Sequence, residues 1–207
     1  EHSSKKDSVV LVTEPLRGTL GMVARKFMDA YQGRHMTFEA MDQTVLLAAI
    51  KQVFLQDRLP DFDIANADYV LNFGADFLAT WLSSVRYSHA YGEFRQGDRA
   101  RGTLVHVEPR MSMTAANSER WIYINPGWEG VLALSIAYVL MSRHANSIDA
   151  EAASAITGGR GAAALSSFAP ENVTSDTGVP VRIIEHLAEE LISHKRSLVI
   201  GGGSAGA

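Results

Sequence analysis

Three groups of polar residues fall in chain order directly after apolar, strand-like segments. They are Gly74-Ala75-Asp76, then Glu108-Pro109-Arg110 with Ser112 and Thr114, then Pro126-Gly127-Trp128-Glu129. Each suits a nucleotide. A glycine at a strand end lets the backbone approach a phosphate or a ribose. Glu108, an acid at the end of the next strand, is placed to accept from ribose hydroxyls, and Arg110, Ser112 and Thr114 to donate to phosphate or sugar. Glu129 opens an apolar helix, where a carboxylate takes two hydrogen bonds from the N–H edge of a guanine. Any one group has a plainer reading, since a strand-end acid is as often a helix cap or an ion-pair partner.

The elements that must position these groups alternate. Ser8–Thr13 (SVVLVT), Asp68–Gly74 (DYVLNFG), Thr103–Val107 (TLVHV), Trp121–Ile124 (WIYI) and Ser197–Ile200 read as short strands, with Met36–Phe38 as a further one. Helical spacing marks Gly18–Gln32 through Leu20, Val23, Phe27 and Tyr31, and Gln43–Leu55 through Val45, Leu46, Ala49, Ile50 and Val53, with Asp42 as its N-cap. Phe77–Phe94, Glu129–Arg143, Pro170–Asp176 and Val181–His194 read as helices, the last with Pro180 in its first turn. Leu59–Asp63 and Arg95–Gly102 read as loops, and the Gly/Ala/Ser-rich 156–168 as a mobile one. Short strands alternating with longer helices give an α/β fold, a mostly parallel, Rossmann-like sheet with helices on both faces in three layers. Residues 1–207 are expected to form one such domain. Ligands of these sheets bind at the carboxyl ends of the strands, which singles out the loops at 74–77, 108–114 and 125–129.

Other signals carry less. The tail from Gly201 to Gly206 matches both G-x-G-x-x-G and, around Ser204, G-x-S-x-G. Each pattern needs a following helix, and the serine pattern needs downstream Asp and His. The seven histidines form no H-x-x-x-H or H-E-x-x-H pair, so no metal site is expected, and His106 in its apolar strand reads as a satisfied core residue. Gly158-Gly159-Arg160-Gly161 lacks the Lys-Ser/Thr of a phosphate-binding loop. Trp81, Trp121 and Trp128 read as packing residues. No catalytic acid, base or nucleophile stands out.

Composition narrows the classes. The 207 residues are 46% hydrophobic and 20% charged, enough for a real core. The sequence contains no cysteine, which excludes within it a disulfide framework, a thiolate zinc site and a cysteine-ligated iron–sulfur cluster. A formal charge of −4 gives no reason to expect nucleic acid. No stretch is apolar for long enough to insert in a membrane, and the polar start lacks a signal peptide. A first residue other than Met and an end in Gly-Gly-Gly-Ser-Ala-Gly-Ala point to a soluble piece of something longer.

The stretches ADYVLNFGADFLATWLSSVRYSHAYGEFRQG and RGTLVHVEPRMSMTAANSERWIYINPGWEGVLALSIAYVLM resemble the large subunits of molybdopterin oxidoreductases of the dimethyl-sulfoxide-reductase superfamily. That family shows a strand ending G-x-N, then D-P-R-x-T-x-T-A, then P-G-T-D ahead of an apolar helix. The wording F-G-A-D-F-L-x-T-W-L is closest to the quinone-linked branch of alternative complex III and related quinone reductases. The likeness is strong over Asn66–Met141 and weaker from Ser8 and through Val179–Gly203.

The resemblance implies the central α/β region of a much larger subunit, one that holds the guanosine end of a molybdopterin guanine dinucleotide in anaerobic or respiratory electron transfer. Gly74, Ala75 and Asp76 would contact the nucleotide. Glu108, Arg110, Ser112 and Thr114 would line ribose and phosphate. Gly127 would be among the cofactor-binding residues, and Glu129 would read guanine. No residue would ligate the metal directly. The implied partners are the other domains of the parent, iron–sulfur subunits and membrane quinone-linked subunits, with the parent periplasmic and membrane-associated. Asp76 stands where Asn is usual, Glu108 where Asp is usual and Trp128 where Thr is usual. These departures support the alternative, a degenerate, cofactor-free scaffold domain of a quinone-linked respiratory complex.

Overall fold

Two strands are almost wholly withdrawn from water. Every residue of β3 (Tyr69–Phe73) is buried, as are four of the five in β4 (Thr103–Val107). Such strands must lie inside a sheet covered on both faces. The computed structural model, which describes residues 9–16, 18–38, 43–96 and 100–203, places them so. With β5 (Arg120–Ile122) and β6 (Ser197–Gly201) they form a four-stranded sheet in the order β5-β4-β3-β6. All three pairings are parallel, with Tyr69 opposite Thr103 and Ser197, and Val105 opposite Arg120.

Alternation along each strand divides the core. Tyr69, Leu71, Phe73, Val105 and Val107 face one side, against Leu132, Ile136 and Val139 of α5 (Glu129–Arg143), Val173 of α7 (Pro170–Thr177), and Ile184 and Leu187 of α8 (Val181–Ser193). Val70, Leu104 and Ile200 face the other, against Phe77, Trp81 and Ile64, and against Tyr87, Ala90 and Phe94 of α3 (Ser84–Gln96). This is the expected three-layer α/β arrangement. Below the sheet face that carries α8, the Tyr69 hydroxyl donates to Glu190 at 2.9 Å, and Glu190 also pairs with Arg120. Burial, then the Glu190 charge, pushes the Tyr69 phenol far above its usual pKa, so it stays a neutral donor.

The chain divides between Gln43 and Thr44 into two compact units. In the first, β1 (Val10–Thr13) and β2 (Arg34–Thr37) pair in parallel around α1 (Gly18–Tyr31). The stripe Leu20, Val23, Phe27 and Tyr31 is exposed within this unit's helix, and Ala24 and Met28 are the residues it buries.

In the second unit, α2 (Thr44–Phe54) buries only Ile50 of its apolar face, and Val53 is exposed. The proposed cap Asp42 and the glycine-serine tail from Ser204 onward lie outside the described residues.

Two segments depart from expectation. The helix expected over Phe77–Phe94 begins only at Ser84. Ahead of it the Asp76 carbonyl collects the N–H groups of Ala79, Thr80 and Trp81, and Leu82 takes a left-handed φ of 51° that breaks the helix. The buried rings of Phe77 and Trp81 hold this turn down, packing against Tyr87. In place of the loop expected over 156–168, α6 (Ala150–Thr157) runs to a left-handed Gly158, and Gly161–Phe168 forms a 3₁₀ segment. Asp149 caps α6 through Ala152 N–H at 2.9 Å, and its alanines favour the helix. The short helix α4 (Met113–Ala116) completes the set. No helix of the described residues is long and apolar enough to cross a membrane.

Ser135 sits inside α5 with no exposure, and its hydroxyl has no hydrogen-bond partner among the described residues. Removing a buried unpaired hydroxyl recovers desolvation free energy. Ser135→Ala is expected to stabilise the fold by about 1 kcal/mol, raising Tm by roughly 2–4 °C in a scanning calorimeter.

Candidate functional site

The loop after β3 is built by its own backbone. Gly74 takes a φ of 66°, which a side chain would strain, and its N–H reaches the Val107 carbonyl on β4 at 3.0 Å. The buried Ala75 is clamped by Asn72, whose Oδ1 accepts from the Ala75 N–H at 3.2 Å and whose Nδ2 donates to the Ala75 carbonyl at 2.7 Å. Asp76 follows, also buried. Its Oδ1 accepts from the Thr114 N–H at 3.1 Å and from the Thr114 hydroxyl at 2.7 Å. The Thr114 oxygen accepts in turn from the Leu78 N–H at 3.1 Å. The loops after β3 and β4 are thereby tied together.

Glu108 ends β4 with no exposure. Its Oε2 lies 3.0 Å from His106 Nε2, and its Oε1 accepts from Arg110 Nε at 3.0 Å. Burial works against this carboxylate, but hydrogen bonds from Ser112 and His106 and the nearby positive charge outweigh it, holding its pKa below the ordinary glutamate value. Ser112 also caps α4, its Oγ accepting from the Ala115 N–H at 3.2 Å. Arg110 lies 3.7 Å from the Asp76 carboxylate and is 65% exposed.

Seven of the nine residues singled out from sequence therefore gather at the ends of β3 and β4: Gly74, Ala75, Asp76, Glu108, Arg110, Ser112 and Thr114. Asp76, Glu108 and Thr114 are engaged with neighbours in the fold, and Arg110 is the long side chain of the set that reaches solvent. Two buried residues of the same cluster, Asn72 and His106, had gone unassigned to it. Their signal was present in the strands themselves, a polar residue at matched positions of YVLNF and TLVHV, both buried on each face.

Glu129 lies apart from that cluster. It lines a cavity of about 1220 Å³ together with Phe73, Gly130, Ala133, Val199 and Gly202. The face of α2 bearing Val45, Leu46 and Ala49 forms another wall. The chain runs β3, β4, β5 in one direction across the sheet and returns to place β6 on the far side of β3. The cavity sits at the carboxyl ends of β3 and β6, at this switch in strand order, where open α/β sheets bind ligands. Glu129 is 4% exposed, on the wall of this cavity. It occupies the first turn of α5, where the helix dipole favours negative charge. Gly127, with a φ of 84°, turns the chain into α5 but does not line the cavity, and Trp128 is 37% exposed. Gly202 lets the backbone pass close to Trp81: a Cβ there would lie 2.6 Å from the indole nitrogen. Among the described residues no group of three His, Asp or Glu side chains is arranged to hold a metal ion.

No family model matches the chain. Known proteins do. A menaquinone reductase molybdopterin-binding-like subunit from Nitratidesulfovibrio vulgaris is 34% identical over 142 residues, covering 68% of this chain. The molybdopterin-containing subunit of an arsenate respiratory reductase from Shewanella sp. (strain ANA-3) is 41% identical over 80 residues, covering 39% of the chain. The chain spans 20% of the first relative's length and 9% of the second's. Among solved structures, acetylene hydratase from Pelobacter acetylenicus matches with a TM-score of 0.67 over 95% of this chain and 26% of its own, at 13% identity, which is a likeness of fold.

Proposed function

We propose that this chain, which its sequence places among the molybdopterin oxidoreductases of the dimethyl-sulfoxide-reductase superfamily, is the nucleotide-cradling α/β domain of such a subunit in respiratory electron transfer. The observation that carries the reading is Glu129: a carboxylate at the start of a helix, 4% exposed, on the wall of a cavity at the switch point of the sheet. A carboxylate on a cavity wall is an acceptor for the N–H groups of a ligand that enters, and charge makes such hydrogen bonds stronger than neutral ones. Guanine supplies two, its ring N–H and its amino group, side by side. The donor set thus fits the guanosine end of a molybdopterin guanine dinucleotide. Bound there, the dinucleotide would supply redox chemistry at its metal-bearing end, remote from these residues. Glu129 orients the base. Phe73 and Ala133 give it an apolar wall. Gly202 lets the strand end pack against the Trp81 indole beside the cavity. Arg110, paired with Glu108 and facing Asp76, is the exposed cation at the ends of β3 and β4 that a phosphate would have to draw away, and Arg58 lines the cavity itself. The parent's partners on this reading are iron–sulfur and membrane quinone-linked subunits, with the parent on the periplasmic side.

One observation favours a second reading, the cofactor-free scaffold. Thr114 satisfies Asp76, His106 and Arg110 satisfy Glu108, and two carboxylates face one arginine at the ends of β3 and β4. Extraction separates the two readings. The protein purified with its parent subunit is denatured in acid, and the supernatant is analysed for pterin, guanosine monophosphate, molybdenum and tungsten. The cradle reading expects pterin and guanosine monophosphate in equal, near-stoichiometric amounts. Neither nucleotide nor pterin in the extract would leave the scaffold.

A further inference from the structure

Asn72 and His106 face each other in register across β3 and β4, both without exposure. The positions of their protons follow from the backbone of Ala75. Its N–H needs an acceptor and finds Asn72 Oδ1, and its carbonyl needs a donor and finds Asn72 Nδ2. Turning the amide over would set N–H against N–H and oxygen against oxygen, so its orientation is fixed. The second Nδ2 proton then points at His106 Nδ1, 2.8 Å away. That nitrogen must carry a lone pair. The ring proton is on Nε2, which donates to Glu108 Oε2 at 3.0 Å. The other oxygen of Glu108 holds Arg110 Nε.

We infer that Asn72 and His106 are positioning residues, a buried neutral relay that fixes the Glu108 carboxylate and through it holds Arg110 at the solvent-facing end of β4. Every donor in the relay runs toward Glu108: one from His106, one from Arg110 and one from Ser112. The charged groups that face the imidazole are Glu108 and Arg110 from its own strand end and Asp76 from the loop after β3. Burial, the largest influence, pushes the ring's pKa below its usual value, although Glu108 and Asp76 pull the other way. A neutral ring is what the relay requires, because an imidazolium would set an N–H against the Asn72 amide protons. The assignment stands on the geometry of the sheet and holds whether or not a nucleotide binds.

The test is the two-bond proton–nitrogen spectrum of 15N-histidine-labelled protein, in which lone-pair and protonated ring nitrogens are distinct. The chain has seven histidines, and the His106 signal is identified by its loss in His106→Leu. The expected ring is neutral with its proton on Nε2, unchanged between about pH 6 and pH 8, the range in which an ordinary histidine titrates. Asn72→Asp replaces the donor by an acceptor and is expected to give a ring protonated on both nitrogens at neutral pH. In His106→Leu the Arg110 Nε–H resonance is expected to lose its protection from solvent exchange. A wild-type ring protonated on Nδ1, or one that titrates in this range, would overturn the relay, and where His106→Leu does not fold the signal is identified by its loss in His106→Gln. An Arg110 signal unaltered in folded His106→Leu would overturn the positioning role.

Discussion

Asp76→Ala is expected to destabilise the protein by about 2–4 kcal/mol, although the residue stands in a loop and touches no strand partner through its side chain. The size follows from what it leaves behind. Thr114 has no exposure, and both its N–H and its hydroxyl donate to Asp76 Oδ1, at 3.1 and 2.7 Å. Alanine strands both donors in the interior, and each buried unpaired donor costs about 1–3 kcal/mol. The Thr114 hydroxyl also receives the Leu78 N–H, so the loop after β3 loses its tie to the loop after β4. Asp76→Asn keeps an oxygen at the same place and is expected to cost about 1 kcal/mol or less. Urea unfolding measures both: the midpoint falls with an unchanged slope if the loss is one of stability alone. Equal midpoints for Asp76→Ala and wild type would show that the tie carries no free energy.

Much of this fold was legible because its central strands are short and mostly apolar while the helices between them are longer. YVLNF and TLVHV announce buried parallel strands, and Glu129–Arg143 was bounded by Pro126-Gly127 before it and the charge of Arg143 at its end. What escaped was fixed by tertiary contact. Nothing local in FLATWL says that the chain will turn at Leu82, since the break comes from Phe77 and Trp81 being drawn under the sheet. The 156–168 segment reads as a loop from its glycines, yet alanines and an aspartate cap upstream are enough for a helix and a 3₁₀ turn that buries Leu165. Within α1 the larger apolar residues are the exposed ones, which no periodicity could rank.

The site was legible as a set and not as a geometry. Strand-end position alone brought seven residues together, because parallel strands in register must end at one edge. Which of them face a ligand depends on side-chain partners that sequence does not display. Glu108 and Asp76 read as ligand-facing acids, and the structure turns them toward His106, Arg110 and Thr114. Glu129 was placed from its helix start, and its cavity depends on α2 and β6, elements far from it in the chain.

Glu129 therefore carries the central claim, and its expected effect is on recognition. A carboxylate that accepts two N–H groups from one base edge is worth about 1–3 kcal/mol against a base that cannot offer them, a discrimination of roughly tenfold to a hundredfold. Adenine presents an acceptor where guanine presents its ring N–H, so it leaves Glu129 facing a lone pair. Truncation to alanine should erase the preference while leaving the fold intact, because Glu129 stands on the wall of a cavity at the start of α5. The direct measurement is calorimetric titration of the nucleotide-free full-length protein and its Glu129→Ala variant with guanosine and adenosine monophosphates. The cradle predicts at least about tenfold tighter binding of the guanine nucleotide to the wild type, and no preference in the variant. Equal affinity of the wild type for the two bases, or a guanine preference that survives Glu129→Ala, would contradict it.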